Sequence, residues 1–334
     1  MTATRMPKPS FTMDLTKGAQ SALSAHDLLP LVDEACCFHK SRGLRPPLGI
    51  YNVSTSRICD KLTAFCLRLE RYIFAHYNTG KDEKLAILES ELLDYIELAI
   101  YSAAEHVDDL KAIVAGFFLD DRLMGKDTSA RLFLTDVKRF KAFISATANA
   151  IKHQQARIRF YSLGFRHSEI DSILHGYFIE GVENGVVGPS VVFHQTQKVF
   201  SITSLAWELL LFLLSCSASL KTFLLTSAKL TKATIRQSSD MFSDAVIAAA
   251  RLPLYTFDEE HPFAKATFIL TSDGSMESRL NSGIYGSFLR RWLQSNEFSF
   301  GDSRIGFQGD GVTKSFNFPS PSRVAIQHWR QEEV

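Results

Sequence analysis

The sequence lacks the short motifs that mark many phosphate-binding and catalytic sites. Its 334 residues contain no GxxxxGK[ST] or GxGxxG loop, no GxSxG nucleophile elbow and no HExxH metal motif. Its five cysteines form no CxxC pair, which argues against a zinc knuckle and a disulfide framework and favours reduced, buried thiols. The sequence therefore predicts no cofactor and no bound metal.

An excess of charge of one sign is also missing. The chain has 37 lysines and arginines against 36 aspartates and glutamates, so any nucleic-acid surface must be a local patch. The most apolar run, 209–216, lies between Glu208 and Lys221 and is shorter than the roughly 20 residues that span a membrane. We expect a buried helix there and no membrane contact. With no signal-peptide pattern and reduced thiols, the predicted location is cytoplasmic.

A long helical pattern is what the sequence does contain. Apolar residues recur at three- and four-residue spacing from residue 54 to about 155, with breaks at 78–80 and 120–128. This pattern predicts three long helices, the first capped by Ser54, and a fourth follows at 201–225. The stretch 41–49 precedes them and holds two prolines, which cannot continue a helix.

The periodicity changes after the third helix. Segments 157–161, 173–180 and 191–194 group β-branched and aromatic residues and predict short strands, with a turn at 183–185. Further on, we predict helices at 240–251 and 281–294, and a strand at 266–271 ending in a hairpin signal. Shorter strand-like pieces lie at 305–307 and 315–318.

These segments predict a mainly α fold in three parts. Residues 1–50 form a leader with a short helix at 26–39, and residues 51–230 form an antiparallel helical bundle with a small β-hairpin insertion. Residues 235–334 form a small α+β accessory region.

Three polar side chains gather at the predicted end of the third helix. Asn149 and His153 are four residues apart and share one helix face, which Lys152 adjoins. A histidine transfers a proton near neutral pH, and a lysine with an amide holds a phosphate oxyanion. The three are therefore the predicted catalytic set for metal-free RNA cleavage through the 2′-hydroxyl. The plainer alternative is a surface helix end whose cations complement the helix dipole.

Two long helices, a third ending in NAIKH, a short hairpin and another long helix resemble the HEPN superfamily over about residues 54–228. The resemblance implies a four- or five-helix domain, commonly dimeric, found in toxin–antitoxin, abortive-infection and CRISPR-associated systems. Many members are metal-independent endoribonucleases with an arginine, usually followed by Asn, Asp or His, and a catalytic histidine four to six residues beyond the arginine. Ala148 stands at the arginine position here, whereas Asn149, Lys152 and His153 match an Asn-x-x-Lys-His form of the motif.

Basic and aromatic residues follow His153 and form a second candidate surface. Arg157, Arg159, Tyr161 and Arg166 combine charge with a ring, as surfaces that bind single-stranded RNA do. A strand pair with an exposed basic edge explains the same pattern equally well.

An acidic group lies in the middle of the second predicted helix. His106 and Asp109 are three residues apart and have the spacing to chelate a metal. A solvated face is the simpler interpretation, because no second ligand pair with matching spacing follows. In a HEPN-like domain, Glu105 and Asp108 with these two would instead face the His153 site.

Two functions from different classes stay open on the sequence alone. One is a HEPN-like RNA-directed protein, an endoribonuclease toxin or antiviral defence effector that forms a homodimer and has RNA and a protein antitoxin as partners. The other is a catalytically inactive helical module for interaction or oligomerisation. Ala148 favours the second function, and Lys152 with His153 favours the first, which we expect.

Overall fold

The computed structural model of the chain describes residues 23–79, 82–154, 156–167, 170–194, 199–227, 230, 240–252, 254–257, 266–270, 276–280, 298–305 and 324–327. Most of these residues are helical. The helices are α1 (Pro47–Thr79), α2 (Asp82–Ala115), α3 (Asp121–Lys126), α4 (Thr128–His153), α5 (Val191–His194), α6 (Ile202–Ser227) and α7 (Asp240–Ala250). The strands are β1 (Ile158–His167), β2 (Ile170–Glu183), β3 (Val186–Pro189), β4 (Phe200–Ser201), β5 (Leu254–Phe257), β6 (Ala266–Leu270), β7 (Met276–Leu280), β8 (Phe298–Ile305) and β9 (Val324–Gln327). The predicted elements at 281–294 and 315–318 lie outside the described residues.

The long helices share one hydrophobic core. α1 packs along α2, α4 packs against both α2 and α6, and α7 packs against α1. Apolar positions predicted from the three- and four-residue spacing are buried, for example Leu62 and Leu69 on α1 and Ile96 on α2. The same spacing also placed Ile87 and Leu132 on the apolar faces, and these two are exposed, at 60% and 63%. The helical period of the sequence therefore identified most, but not all, of the buried positions.

The first helix begins at Pro47, whereas the sequence predicted a start capped by Ser54. That prediction was wrong because a proline fits the first helical turn, where its missing N–H would have no helical partner. Ser54 lies inside the helix and is buried, and its hydroxyl is hydrogen-bonded to Nδ1 of His106 at 2.8 Å. The predicted boundary at 41–49 thus overlaps the start of α1.

The segment before α1 packs on the helical core through side chains such as that of Leu28. The helix predicted at 26–39 is not formed. Two short 3₁₀ turns take its place, at Leu29–Leu31 and Glu34–Cys36. Pro30 lacks the N–H that a continuous helix would use, which favours short turns here.

The polar stretch 120–128 was predicted as a loop, yet it contains helix α3. Asp120 caps α3 by accepting a hydrogen bond from the backbone N–H of Leu123 at 2.8 Å. Asp127 caps α4 in the same way, accepting from the N–H of Ala130 at 2.8 Å. These carboxylates satisfy N–H groups that a helix start leaves unpaired, and they fix where α4 begins.

A small antiparallel sheet follows α4. β2 pairs with β1, β3 and β4, and β1 also pairs with β8. Asn184 and Gly185 join β2 to β3 with φ angles of 53° and 78°, as a type I′ hairpin turn requires, so the predicted turn is confirmed. Residues 191–194 were wrongly predicted as a strand: they form α5, and Val186–Pro189 supplies the strand that pairs with β2.

Both faces of this sheet carry buried residues. Alternation along the strands places Phe160 and Tyr177 in the main hydrophobic cluster of the helices. Tyr161 is on the other face, with its ring 6.1 Å from that of Phe257 in β5. β8 belongs to the predicted accessory region, so that region contributes a strand to the sheet of the helical part.

Helix α6 passes through the core and is the most apolar element. By length and composition alone, this helix of 26 residues could cross a membrane. The apolar helix is therefore longer than the run 209–216 that the sequence singled out. The structure buries 65% of its most apolar window. That burial is what the core helix of a soluble protein shows, in line with the predicted buried helix.

The described cysteines are free thiols. Cys59, Cys66 and Cys216 are buried, as predicted, whereas Cys37 is half-buried. Burial raises the pKa of Cys59 to about 12, which keeps this thiol protonated and unreactive at neutral pH.

Candidate functional site

The three predicted catalytic residues lie together on the last turn of α4. Asn149, Lys152 and His153 are all exposed to solvent. The helix ends where the N–H groups of Gln154 and Ala156 both donate to the carbonyl of Ala150, at 2.9 and 3.2 Å. The chain then turns away into β1, which leaves the three side chains on an open helix end.

Lys152 is held by an aromatic ring of the neighbouring helix. Its Nζ lies 4.3 Å from the ring centroid of Tyr101 on α2, a cation–π distance. The Tyr101 hydroxyl donates to Oε2 of Glu97 at 3.4 Å. The ammonium group is therefore positioned against α2.

The Tyr101 side chain stays protonated, as a neutral phenol, at neutral pH. Burial, followed by the nearby Glu97 carboxylate, raises the pKa of Tyr101 to about 12. Burial also raises the pKa of Glu97 above its usual range, with Asp94 adding to the effect. Neither residue belonged to the predicted site, although their i, i+4 spacing in the sequence indicates that they share a helix face.

Ala148, which the resemblance aligns with the HEPN arginine, belongs to the core. It is only 4% exposed, in the same hydrophobic cluster as Ile144. An arginine here would have to bury its charge or displace the packing between helices. The local structure therefore has no room for an exposed arginine at this position.

Two of the four predicted RNA contacts are buried. Arg159 is 2% exposed and Tyr161 is fully buried, so neither side chain reaches a surface where RNA could bind. The guanidinium Nε of Arg159 donates to Oε2 of Glu180 at 2.5 Å, in an ion pair between β1 and β2. β1 is flanked by β2 and β8 and is not an exposed edge, which is why the predicted surface role of these two residues was wrong.

The other two predicted RNA contacts have different positions. Arg157 is exposed, directly after the end of α4, and its carbonyl accepts a hydrogen bond from the N–H of Glu180 at 2.8 Å. Arg166 lies in β1 opposite Asp171, but its side chain lies outside the described part of the structure. Arg157 is therefore the one of the four that the structure places beside the α4 end.

The acidic group on α2 forms structural contacts. His106 is buried, and Glu105 pairs with Arg57 of α1 at 2.8 Å. Asp108 pairs with Lys141 of α4 at 2.9 Å. These residues hold α2 to its neighbours. Of the two residues with metal-chelating spacing, His106 is buried and Asp109 is half-buried. Within the described residues, no group of three or more His, Cys, Asp or Glu side chains is arranged to hold a metal.

A second buried polar group lies where the sheet meets α1. The rings of His76 and His175 are 5.3 Å apart, and both contact Tyr72, with centroids at 5.7 and 5.2 Å. Nδ1 of His175 is hydrogen-bonded to the hydroxyl of Ser162 at 3.0 Å. His175 and Tyr72 are each only 1% exposed, so this group contributes to packing rather than to a site open to substrate.

The buried histidines predict a loss of stability in acid. Burial lowers the pKa of His106 to about 4, so between about pH 6.5 and pH 4 the unfolded chain binds a proton that the folded chain does not. The contribution of His106 to the free energy of unfolding is fully present above pH 6.5 and is lost as the pH falls toward 4. From about pH 7.5 to about pH 5, His106 alone should lower the free energy of unfolding by about 2 kcal/mol. Burial, together with His76, lowers the pKa of His175 and acts in the same direction.

Urea unfolding at these two pH values measures the effect. His106→Gln is the matched variant, because it keeps a polar group near Ser54 but cannot titrate. Between pH 7.5 and pH 5, the free energy of unfolding of the variant should fall by about 2 kcal/mol less than that of the wild type. An equal change in both proteins would contradict the assignment.

Comparison of the chain with protein-family models, with curated proteins and with solved structures found no match. The site therefore has to be judged by its own geometry.

Proposed function

We propose that this protein is HEPN-like and RNA-directed, and that it cleaves single-stranded RNA without a metal at the end of α4. The observation that carries the proposal is the exposure of Asn149, Lys152 and His153 on one open helix turn. A defence or toxin role in the cytoplasm, with an antitoxin partner, is what the HEPN resemblance implies. The burial of most of α6 in the helical core is compatible with that setting.

The chemistry needs a base, an acid and a group that holds the phosphate. His153 removes the proton from the 2′-hydroxyl, and the 2′-oxygen then bonds to phosphorus while the bond to the 5′-oxygen breaks. Lys152 and Asn149 hold the non-bridging phosphate oxygens, where negative charge develops. A protonated imidazole donates to the departing 5′-oxygen. The products are a 2′,3′-cyclic phosphate and a 5′-hydroxyl.

A homodimer would supply the second imidazole. An isologous contact that pairs the two α4 ends places two copies of His153 in one groove, one as base and one as acid. Light scattering should give about twice the chain mass of 37.5 kDa. A strict monomer at high protein concentration would contradict both the dimer and the composite site.

Cleavage should persist in excess EDTA, because none of the three side chains needs a metal to act. The test is a 5′-labelled single-stranded RNA incubated with the full chain, with and without chelator. The expected products carry 2′,3′-cyclic phosphate ends. No cleavage under any condition would refute the catalytic proposal.

Lys152→Arg is the informative variant in the same assay. An arginine can stack on Tyr101 as the lysine does and can also offer a planar fork to the phosphate. We expect the rate to rise about tenfold, which equals one further charge-assisted hydrogen bond of about 1.5 kcal/mol. Lys152→Gln is the control and should lower the rate. A loss of rate with Lys152→Arg would argue against a phosphate contact at this position.

One observation favours a second function, an inactive module for interaction or oligomerisation. Ala148 is packed in the core where the family places its arginine, and Lys152 rests on Tyr101. Such a protein would form the same dimer but leave labelled RNA intact. The cleavage assay therefore separates the two functions.

A further inference from the structure

The helix that carries the candidate site has an excess of basic residues. α4 has five lysines and arginines and a single acidic residue, Asp136. The neighbouring α2 has nine acidic residues and two lysines. The near-neutral total charge of the chain thus hides a separation of charge between two packed helices.

Two exposed cations of α4, Arg131 and Lys138, fall on one line with Asn149. At about 100° per residue, Arg131, Lys138 and Asn149 project within about 20° of one another. Lys152 and His153 lie about 60° and 40° to either side of that line. All five side chains are exposed, whereas the opposite side of the helix is buried in the core. We call Arg131, Lys138, Asn149 and Lys152 the α4 basic stripe; it is about 32 Å long and ends beside His153.

Among the residues that the structure describes, the charges on this stripe have no acidic partners. Within the described part of the chain, no carboxylate lies within 4.0 Å of Arg131, Lys138 or Lys152, and the Arg131 guanidinium has only the Thr128 hydroxyl, at 3.5 Å. Lys141 lies off the line and is neutralised by Asp108 at 2.9 Å. A solvated helix face usually intersperses both signs of charge, and this one does not.

The stripe suits a flexible polyanion better than a membrane. An amphipathic helix that binds a lipid surface inserts its apolar face, but the apolar face of α4 is packed against α2 and α6. A line of unpaired cations that leads to a phosphate-handling group matches the repeating charge of a nucleic-acid backbone.

We propose that the α4 basic stripe binds the phosphate backbone of single-stranded RNA and leads the strand to His153. This inference rests on the proposed function for the identity of the polyanion. It replaces Arg159 and Tyr161, which are buried, as the surface that holds the substrate. The stripe contributes affinity that depends on salt and not on base sequence.

The test measures binding separately from cleavage. Every protein carries His153→Ala, and the probe is a short, unstructured, fluorescently labelled RNA followed by anisotropy across a range of salt concentrations. The stripe variant is Arg131→Gln with Lys138→Gln. The control is Lys61→Gln with Arg71→Gln on α1, whose main packing partners are α2 and α7; it removes the same charge.

We expect the stripe variant to bind RNA about tenfold more weakly at low salt, with the slope of log affinity against log salt reduced by about 1.4. The control should match the parent in both quantities. Equal weakening of stripe variant and control would overturn the inference, because net charge alone would then explain binding. So would tighter binding to vesicles of anionic lipid than to RNA.

The two proposals fail in different ways. If the stripe governs RNA binding but the wild type never cleaves, the stripe stands and the catalytic proposal falls. If the wild type cleaves RNA and the stripe variant binds it as well as the control does, the catalytic proposal stands and the stripe falls.

Discussion

Replacing Arg159 with methionine should lower the free energy of unfolding by about 3–5 kcal/mol, because the change removes one partner of a buried ion pair. The side chains of Arg159 and Glu180 are 3% and 14% exposed, so solvent cannot stabilise the carboxylate that is left behind. Urea unfolding at neutral pH measures the loss. RNA affinity, measured under conditions where the variant is folded, should not change.

Two further variants make the ion-pair result specific. Arg157→Met, at the exposed position two residues earlier, should change stability by less than about 0.5 kcal/mol. Arg159→Met combined with Glu180→Leu should recover most of the loss, because buried pairs can often be replaced by apolar residues. If Arg159→Met instead kept full stability and weakened RNA binding, the original prediction of an RNA contact would be right.

Several features that depend on local sequence were predicted closely, although the start of α1 and the short helix α3 were not. Helix α4 was expected to start at Ser129 and starts at Thr128, and α6 was expected at 201–225 and is Ile202–Ser227. The turn at Asn184 and Gly185 was read from two residues that tolerate positive φ. In each case the signal lies in residues close together in the sequence, and periodicity and turn-forming residues give information only over such short segments.

Features that depend on contacts distant in sequence were missed. Arg159 and Tyr161 were expected on an exposed edge, since nothing near them in the sequence shows that β8 would pair with β1. The cation–π contact of Lys152 with Tyr101 joins two helices and leaves no trace in either segment alone. The candidate site was therefore found as a cluster on one helix, but its supporting residues came only from the structure.

Replacing His153 with alanine should slow RNA cleavage by about 10²–10⁴-fold, the usual contribution of a general acid or base. The side chain is exposed at a helix end and has no hydrogen bond to any described residue, so its removal should change stability by less than about 0.5 kcal/mol. Gln154→Ala, at the exposed position next to it, is the matched control and should cleave at the wild-type rate. Thermal unfolding of all three proteins establishes that any loss of rate is not a loss of fold.

The most direct measurement is the single-turnover rate at which wild type and His153→Ala cleave one labelled single-stranded RNA in the presence of EDTA. We predict cleavage by the wild type to 2′,3′-cyclic phosphate products and a rate at least about 100-fold lower for the variant, with both proteins equally folded. Equal rates for the two proteins would show that the end of α4 is not the catalytic site.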